Sequence, residues 1–186
     1  MFVALPVSPE LKGGLAEPAR QLASLTALLR LADIDHGHLT LHFLGGVEEE
    51  RVVDLSSRLR AALAETQKFE VEVKGVGAFP SLSRARVIWA GVEDEGGRLL
   101  SLEQSLGRTL TATGLQIEDR PFSPHLTLAR TRRPPTASER SELEGWRRRW
   151  LGHHFGLLPV ETVLLMRSQL GGGPAKHTVV ERFGLE

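Results

Sequence analysis

The sequence predicts an α+β fold built by internal duplication, with two sheet-centred lobes, helices outside and a cleft between them. Three observations carry this. The tetrapeptide His38-Leu39-Thr40-Leu41 returns unchanged as His125-Leu126-Thr127-Leu128, 87 positions on. Around each copy, short apolar alternations of strand period exchange with longer runs of leucine at helical spacing. The order strand–helix–strand–helix–strand is read once over about 1–80 and again over about 85–186, within a single bilobal domain spanning 1–186.

In chain order, Phe2 to Val7 reads as a strand, bounded by Pro6 and Pro9. Leu15, Leu22, Leu25, Leu28 and Leu29 recur near helical spacing and predict a helix over about 17–31. Asp33 to Gly37 is a loop leading into the first motif strand, 38–44, which Gly45-Gly46 ends. Val52, Leu55, Leu59 and Leu63 lie on one face of a helix over about 48–67. Phe69-Glu-Val-Glu-Val73 alternates as a strand and runs on toward Phe79, with a turn over 80–84. The second half repeats the order. A strand over 85–92 precedes a helix over about 98–113, which carries Leu99, Leu102, Leu106 and Leu110 and has Gly114 as its C-cap. Residues 119–124 lead into the second motif strand, 125–130. A Pro- and Arg-rich loop and a helix over about 138–151 come next. Residues 157–170 are β-rich, with Pro159 expected to break them. Gly171-Gly-Gly-Pro174 reads as a turn before a last strand over 177–183.

On a strand, successive side chains point to opposite faces. His38 and Thr40 therefore share one surface while Leu39 and Leu41 face a core, and the same holds for His125 and Thr127 against Leu126 and Leu128. A lone histidine on a strand says little. Two identical His-x-Thr strands at matching places in two similar halves point to a pair of imidazoles and a pair of hydroxyls around one point. That set suits acid–base chemistry on a small anionic group. Such chemistry needs a base on one side and an acid on the other, and histidine serves both because its ordinary pKa is about 6.5. Thr40 and Thr127 can donate to oxygens of that group as charge shifts onto them.

Composition narrows the class. Arginine plus lysine equal aspartate plus glutamate at 23 each, so no global basic field for long nucleic acid exists, only local clusters at Arg130, Arg132, Arg133 and Arg147-Arg148-Arg149. The last of these reads as a solvated helix face, with RNA contact as the lesser alternative. The absence of cysteine excludes disulfides and thiolate chemistry. No apolar run reaches the roughly 18 residues of a membrane span. The N-terminus reads as a strand and not as a leader, so a cytoplasmic chain is expected. His38 and His42 are four residues apart, which on a strand is about 13 Å, too far to share one ion. No metal or other cofactor is expected. His42 shares the His38 face and reads as a substrate contact or an exposed rim residue. Phe43 falls on the opposite face and reads as core, with stacking on a base as the lesser alternative. Strict alternation also sets Arg130 opposite His125 unless the strand twists there. His153, His154 and His177 read as loop or surface histidines.

The stretches His38-Leu-Thr-Leu-His-Phe-Leu-Gly45 and Pro121-Phe-Ser-Pro-His-Leu-Thr-Leu-Ala-Arg130 resemble the paired motifs of the two-histidine (2H) phosphoesterases. Within that group they are most similar to the RNA 2′,3′-cyclic phosphodiesterases, also called 2′-5′ RNA ligases. Phe2-Val-Ala-Leu-Pro6, Gly77-Ala-Phe-Pro80, Val87-Ile-Trp89 and Leu164-Leu-Met-Arg-Ser168 fit the same family. The resemblance departs at Ala32 to Gly37. It implies the bilobal fold with its motifs facing across a cleft, and metal-independent hydrolysis of RNA 2′,3′-cyclic phosphate ends to 2′-phosphomonoesters, with 2′-5′ ligation as the reverse reaction. It further implies that His38 donates a proton, His125 accepts one, and Thr40, Thr127 and Arg130 hold the phosphate. The partners expected are RNA ends or nucleoside 2′,3′-cyclic phosphates, met by a monomer. The alternative is a module of the same fold that binds a nucleotide or an RNA end without turning it over.

Overall fold

The computed structural model is described for residues 1–118, 120–169 and 176–186, and among these are nine strands and four helices. They run β1 (Phe2–Pro6), α1 (Pro9–Gln21), β2 (Leu29–Leu31), β3 (His38–Phe43), α2 (Glu49–Leu63), β4 (Phe69–Phe79), β5 (Val87–Glu93), α3 (Arg98–Ala112), β6 (His125–Thr131), α4 (Ala137–Trp150), β7 (His154–Val160), β8 (Thr162–Gln169) and β9 (Lys176–Gly184). The strands hydrogen-bond in the order β7-β4-β5-β6-β3-β1-β8-β9, with β2 also on β6. Every pairing is antiparallel.

The sheet has two parts, β7-β4-β5-β6 and β3-β1-β8-β9. Among the described residues they are joined by one pair, Leu39 opposite Leu126. The parts interleave the sequence. β4, from the first half of the chain, pairs with β5, and β8, from the second half, pairs with β1. The helices bury the leucine faces read from their spacing: Val52, Leu55, Leu59 and Leu63 on α2, and Leu99, Leu102, Leu106 and Leu110 on α3. These pack with Leu5, Leu39, Ile88 and Leu126 into one core. No helix among the described residues is long and apolar enough to cross a membrane.

The first helix departs from the 17–31 expectation. It starts at Pro9, where the Ser8 hydroxyl accepts from the Leu11 amide at 3.2 Å and proline takes the first helical position. It ends at Gln21. Leu22 and Leu25 are still buried, but on a 3₁₀ turn, and Leu29 is buried from β2. Leucine spacing reports burial correctly and helix wrongly, because a turn and a strand meet the same core. Gly14 lets α1 lie close to β7: a Cβ there would collide with the Phe155 carbonyl. At the other end, β7 begins at His154 and runs through Pro159, and the break falls at Glu161 instead. An edge strand tolerates proline because it pairs on one side only. The turn read at Gly171–Pro174 lies outside the described residues.

Candidate active site

The Leu39–Leu126 pair fixes the register between β3 and β6. In an antiparallel ladder that register sets His38 across from Thr127 and Thr40 across from His125. All four lie on the face opposite Leu39 and Leu126, which are 0% and 3% exposed. Each motif therefore offers its histidine beside the threonine of the other.

Both motif strands carry a β-bulge at the same place. Opposite β1, Thr40 pairs with Ala4 and His42 with Val3, so Leu41 has no partner. Opposite β5, Thr127 pairs with Trp89 and Ala129 with Ile88, so Leu128 has none. The extra residue reverses the facing of the residues after it. His42 and Ala129 turn into the core, at 6% and 0% exposed, and Phe43 and Arg130 turn out onto the histidine face. Two expectations are corrected here. His42 is not a rim residue: its Nε2–H donates to the Glu103 carbonyl on α3 at 2.8 Å, against Gly107. Phe43 is not core: it is 50% exposed, with its ring 6.1 Å from that of Phe2. The bulge also removes the facing objection to Arg130.

The imidazoles are held alike. His38 Nδ1–H donates to the His36 carbonyl at 3.1 Å, and His125 Nδ1–H donates to the Ser123 carbonyl at 2.8 Å. A carbonyl can only accept, so the Nδ1 proton is fixed and Nε2 is left to gain or lose one. Burial pushes both histidines below the ordinary range, the backbone carbonyls pull them back up, and the Arg130 cation lowers both. The Arg130 field thus reaches both motifs. Arg30 on β2 sits directly across from Arg130, and both are exposed. Two like charges side by side on a sheet repel, and an anion between them relieves that.

Aromatic rings wall the site. Phe2 lies 4.9 Å from the His38 ring, and Phe79 lies edge-on at 4.9 Å from the His125 ring. Trp89 stacks at 5.1 Å on Phe79 and covers Gly77, where a Cβ would strike the indole. One site residue is not legible in the sequence. His177, read as a surface histidine, sets its ring edge-on at 5.3 Å from His38 and 5.1 Å from Phe2. No motif surrounds it, and β9 reaches the site only through the pairing of distant strands. His153 and His154 are exposed, as expected, and lie at the start of the β7 edge strand. Arg147, Arg148 and Arg149 form the last turn of α4, with Arg149 donating to Gln21 at 3.0 Å.

Residues 13–169 match the family model described as the 2′-5′ RNA ligase superfamily. An RNA 2′,3′-cyclic phosphodiesterase of Thermus thermophilus is 36% identical over 156 residues, covering 80% of this chain and 71% of the relative. A protein of the same name from Methanothermobacter thermautotrophicus is 29% identical over 99% of this chain and 97% of its own. The crystal structure of TT0787 from Thermus thermophilus superposes with a TM-score of 0.81 and 29% identity, covering 99% of this chain and 96% of that one. The mixed helix and antiparallel-sheet fold, the doubled His-x-Thr motif and these matches agree, and the chain belongs to the 2′-5′ RNA ligase superfamily.

Proposed function

We propose that this chain is an RNA 2′,3′-cyclic phosphodiesterase. The carrying observation is the β3–β6 register, which sets the histidine of each motif beside the threonine of the other. The curated relatives named above act under that description, and the site has the groups the reaction needs.

The cyclic phosphate lies across the four side chains, between His38 and His125. His125 Nε2 takes a proton from water as the water oxygen bonds to phosphorus. The P–O3′ bond breaks on the opposite side, and His38 Nε2–H gives its proton to O3′. The products are a 2′-phosphomonoester and a 3′-hydroxyl, and solvent returns the proton from His125 to His38. Thr40, Thr127 and Arg130 face the non-bridging oxygens, where charge accumulates in the transition state. Each proton transfer is worth about 10²–10⁴-fold. The bound phosphate anion favours the charged imidazole and so offsets the lowering that burial imposes on His38. No step is routed through a metal. With an RNA 5′-hydroxyl in place of water as the nucleophile, the same path joins RNA ends by a 2′-5′ bond. Phe43, exposed on this face, offers a flat apolar ring to the base of the terminal nucleotide. One chain carries both motifs, so a monomer suffices, and a cytoplasmic location fits a substrate of RNA ends.

The test is to incubate the protein with a nucleoside 2′,3′-cyclic phosphate in excess EDTA and identify the monoester formed. The 2′-phosphomonoester is expected. Activity that vanishes in EDTA and returns with a divalent ion would overturn the scheme.

A further inference from the structure

The two motifs are identical in sequence, yet the scheme above needs their histidines in opposite protonation states at the same moment. Nothing inside the motifs distinguishes them. Each has the same four residues, the same bulge at its last leucine, and an Nδ1–H bond to the carbonyl two residues upstream. Each also has one phenylalanine ring at 4.9 Å. The asymmetry lies outside them. Among the described residues, the His38 ring meets a second imidazole, that of His177, edge-on at 5.3 Å, whereas the ring set against His125 is that of Phe79.

We infer that His177 is a positioning residue for His38, an orienting imidazole that one of two identical motifs has and the other lacks. The inference rests on the reading that both histidines serve one reaction. His177 sits on β9 opposite Ser168 of β8, at the far edge of the sheet. Its ring bridges Phe2 and His38, so the His38 imidazole is held by three groups: the His36 carbonyl, the Phe2 face and the His177 edge. The Nδ1 of His177 is buried and has no hydrogen-bond partner among the described residues. This nitrogen is closed off from solvent and so from a phosphate. What the ring touches is the proton donor.

The contact also couples two titrations. A proton on His177 would place a second cation beside His38 and disfavour a proton there, and the charged groups whose fields act on His177 are His36 of the 3₁₀ turn before β3 and Arg130 of β6. Burial comes first among the causes that hold His177 itself below the ordinary histidine range. The field of His177 is in turn among the causes that lower His38, so deleting its titrating group relieves that field.

The experiment is an NMR titration of the His38 and His125 imidazoles in the full chain, for the parent, His177→Phe and His177→Gln, each checked for an unchanged melting temperature. His177→Phe keeps a ring beside His38 and deletes the titrating group. The expected result is an upward shift of the His38 titration in both variants, by at least 0.3 pH units, with His125 moving by less than 0.1. Turnover of a nucleoside 2′,3′-cyclic phosphate is the second readout. His177→Gln should lose at least fivefold in kcat with KM within twofold, and His177→Phe should recover most of it. Equal movement of both histidines, or movement of neither, would overturn the inference. So would a KM effect that exceeds the kcat effect, because that would place His177 on the substrate. The titration reads the coupling whether or not the chain turns over cyclic phosphate, so failure of the proposed activity and failure of this inference are separable.

Discussion

Leu39 and Leu126 form the one backbone pair that joins the two motif strands among the described residues, and both side chains are buried beneath the site. Core stability and site geometry therefore meet at the same two leucines. Leu39→Ala should cost about 2–5 kcal/mol of stability. It should also lower kcat by more than a core leucine remote from the cleft, such as Leu110, does when replaced by alanine. Equal activity per folded molecule in Leu39→Ala and Leu110→Ala would show that the register is not held there.

The bulges at Leu41 and Leu128 set the next prediction. Phe43 is half exposed, so Phe43→Ala should change stability by less than about 1 kcal/mol. It should instead raise KM for a cyclic nucleotide while leaving kcat within a few-fold. Arg130→Ala should also leave the melting temperature near that of the parent, and should lower kcat/KM by about 10²-fold through lost phosphate stabilisation. Thermal melting beside steady-state kinetics reads both. A Phe43→Ala protein that melts far below the parent would return that ring to the core.

Burial holds His38 and His125 below the ordinary histidine value of about 6.5, which an unfolded chain keeps. Between the lowered folded values and about 6.5, the unfolded chain binds protons that the folded chain refuses. Stability should therefore be level above about 6.5 and fall as pH drops through that window. The melting temperature at pH 5.5 should lie below that at pH 7.5. Replacing His38 and His125 together by glutamine should make the drop shallower, with the remainder owed in part to His177, which burial also lowers. An unchanged drop in the double variant would mean that neither imidazole is effectively buried.

The site is legible where periodicity and repetition suffice. His38, Thr40, His125 and Thr127 share a face because strands alternate, and the doubled tetrapeptide marks them as a set. Helices α2 and α3 follow from leucine spacing for the same reason. Features that depend on one extra residue or on a distant strand are not legible. A bulge leaves no mark in an apolar alternation, so strict alternation assigns His42 and Phe43 to each other's faces and sets Arg130 on the wrong side. His177 reaches His38 only through the chain of pairings β9 to β8 to β1 to β3, which no local pattern reports. The start of α1 is visible at Ser8-Pro9-Glu10, a cap, a first-turn proline and a first-turn acid, but it is outweighed by leucines that the core buries from a turn and a strand.

The proposed roles of the two histidines separate by leaving group. A nitrophenyl phosphodiester expels an oxygen that needs no proton. It should partly rescue His38→Ala, which lacks the acid, and should not rescue His125→Ala, which lacks the base. Rescue of His125→Ala alone would reverse the two assignments.

The most direct test of the paired-histidine site is turnover of a nucleoside 2′,3′-cyclic phosphate by His38→Ala and by His125→Ala, beside Thr40→Ala and Thr127→Ala. Each histidine variant should lose about 10²–10⁴-fold in kcat while still binding substrate, and each threonine variant should lose less. Turnover within a few-fold of the parent in either histidine variant would contradict the account.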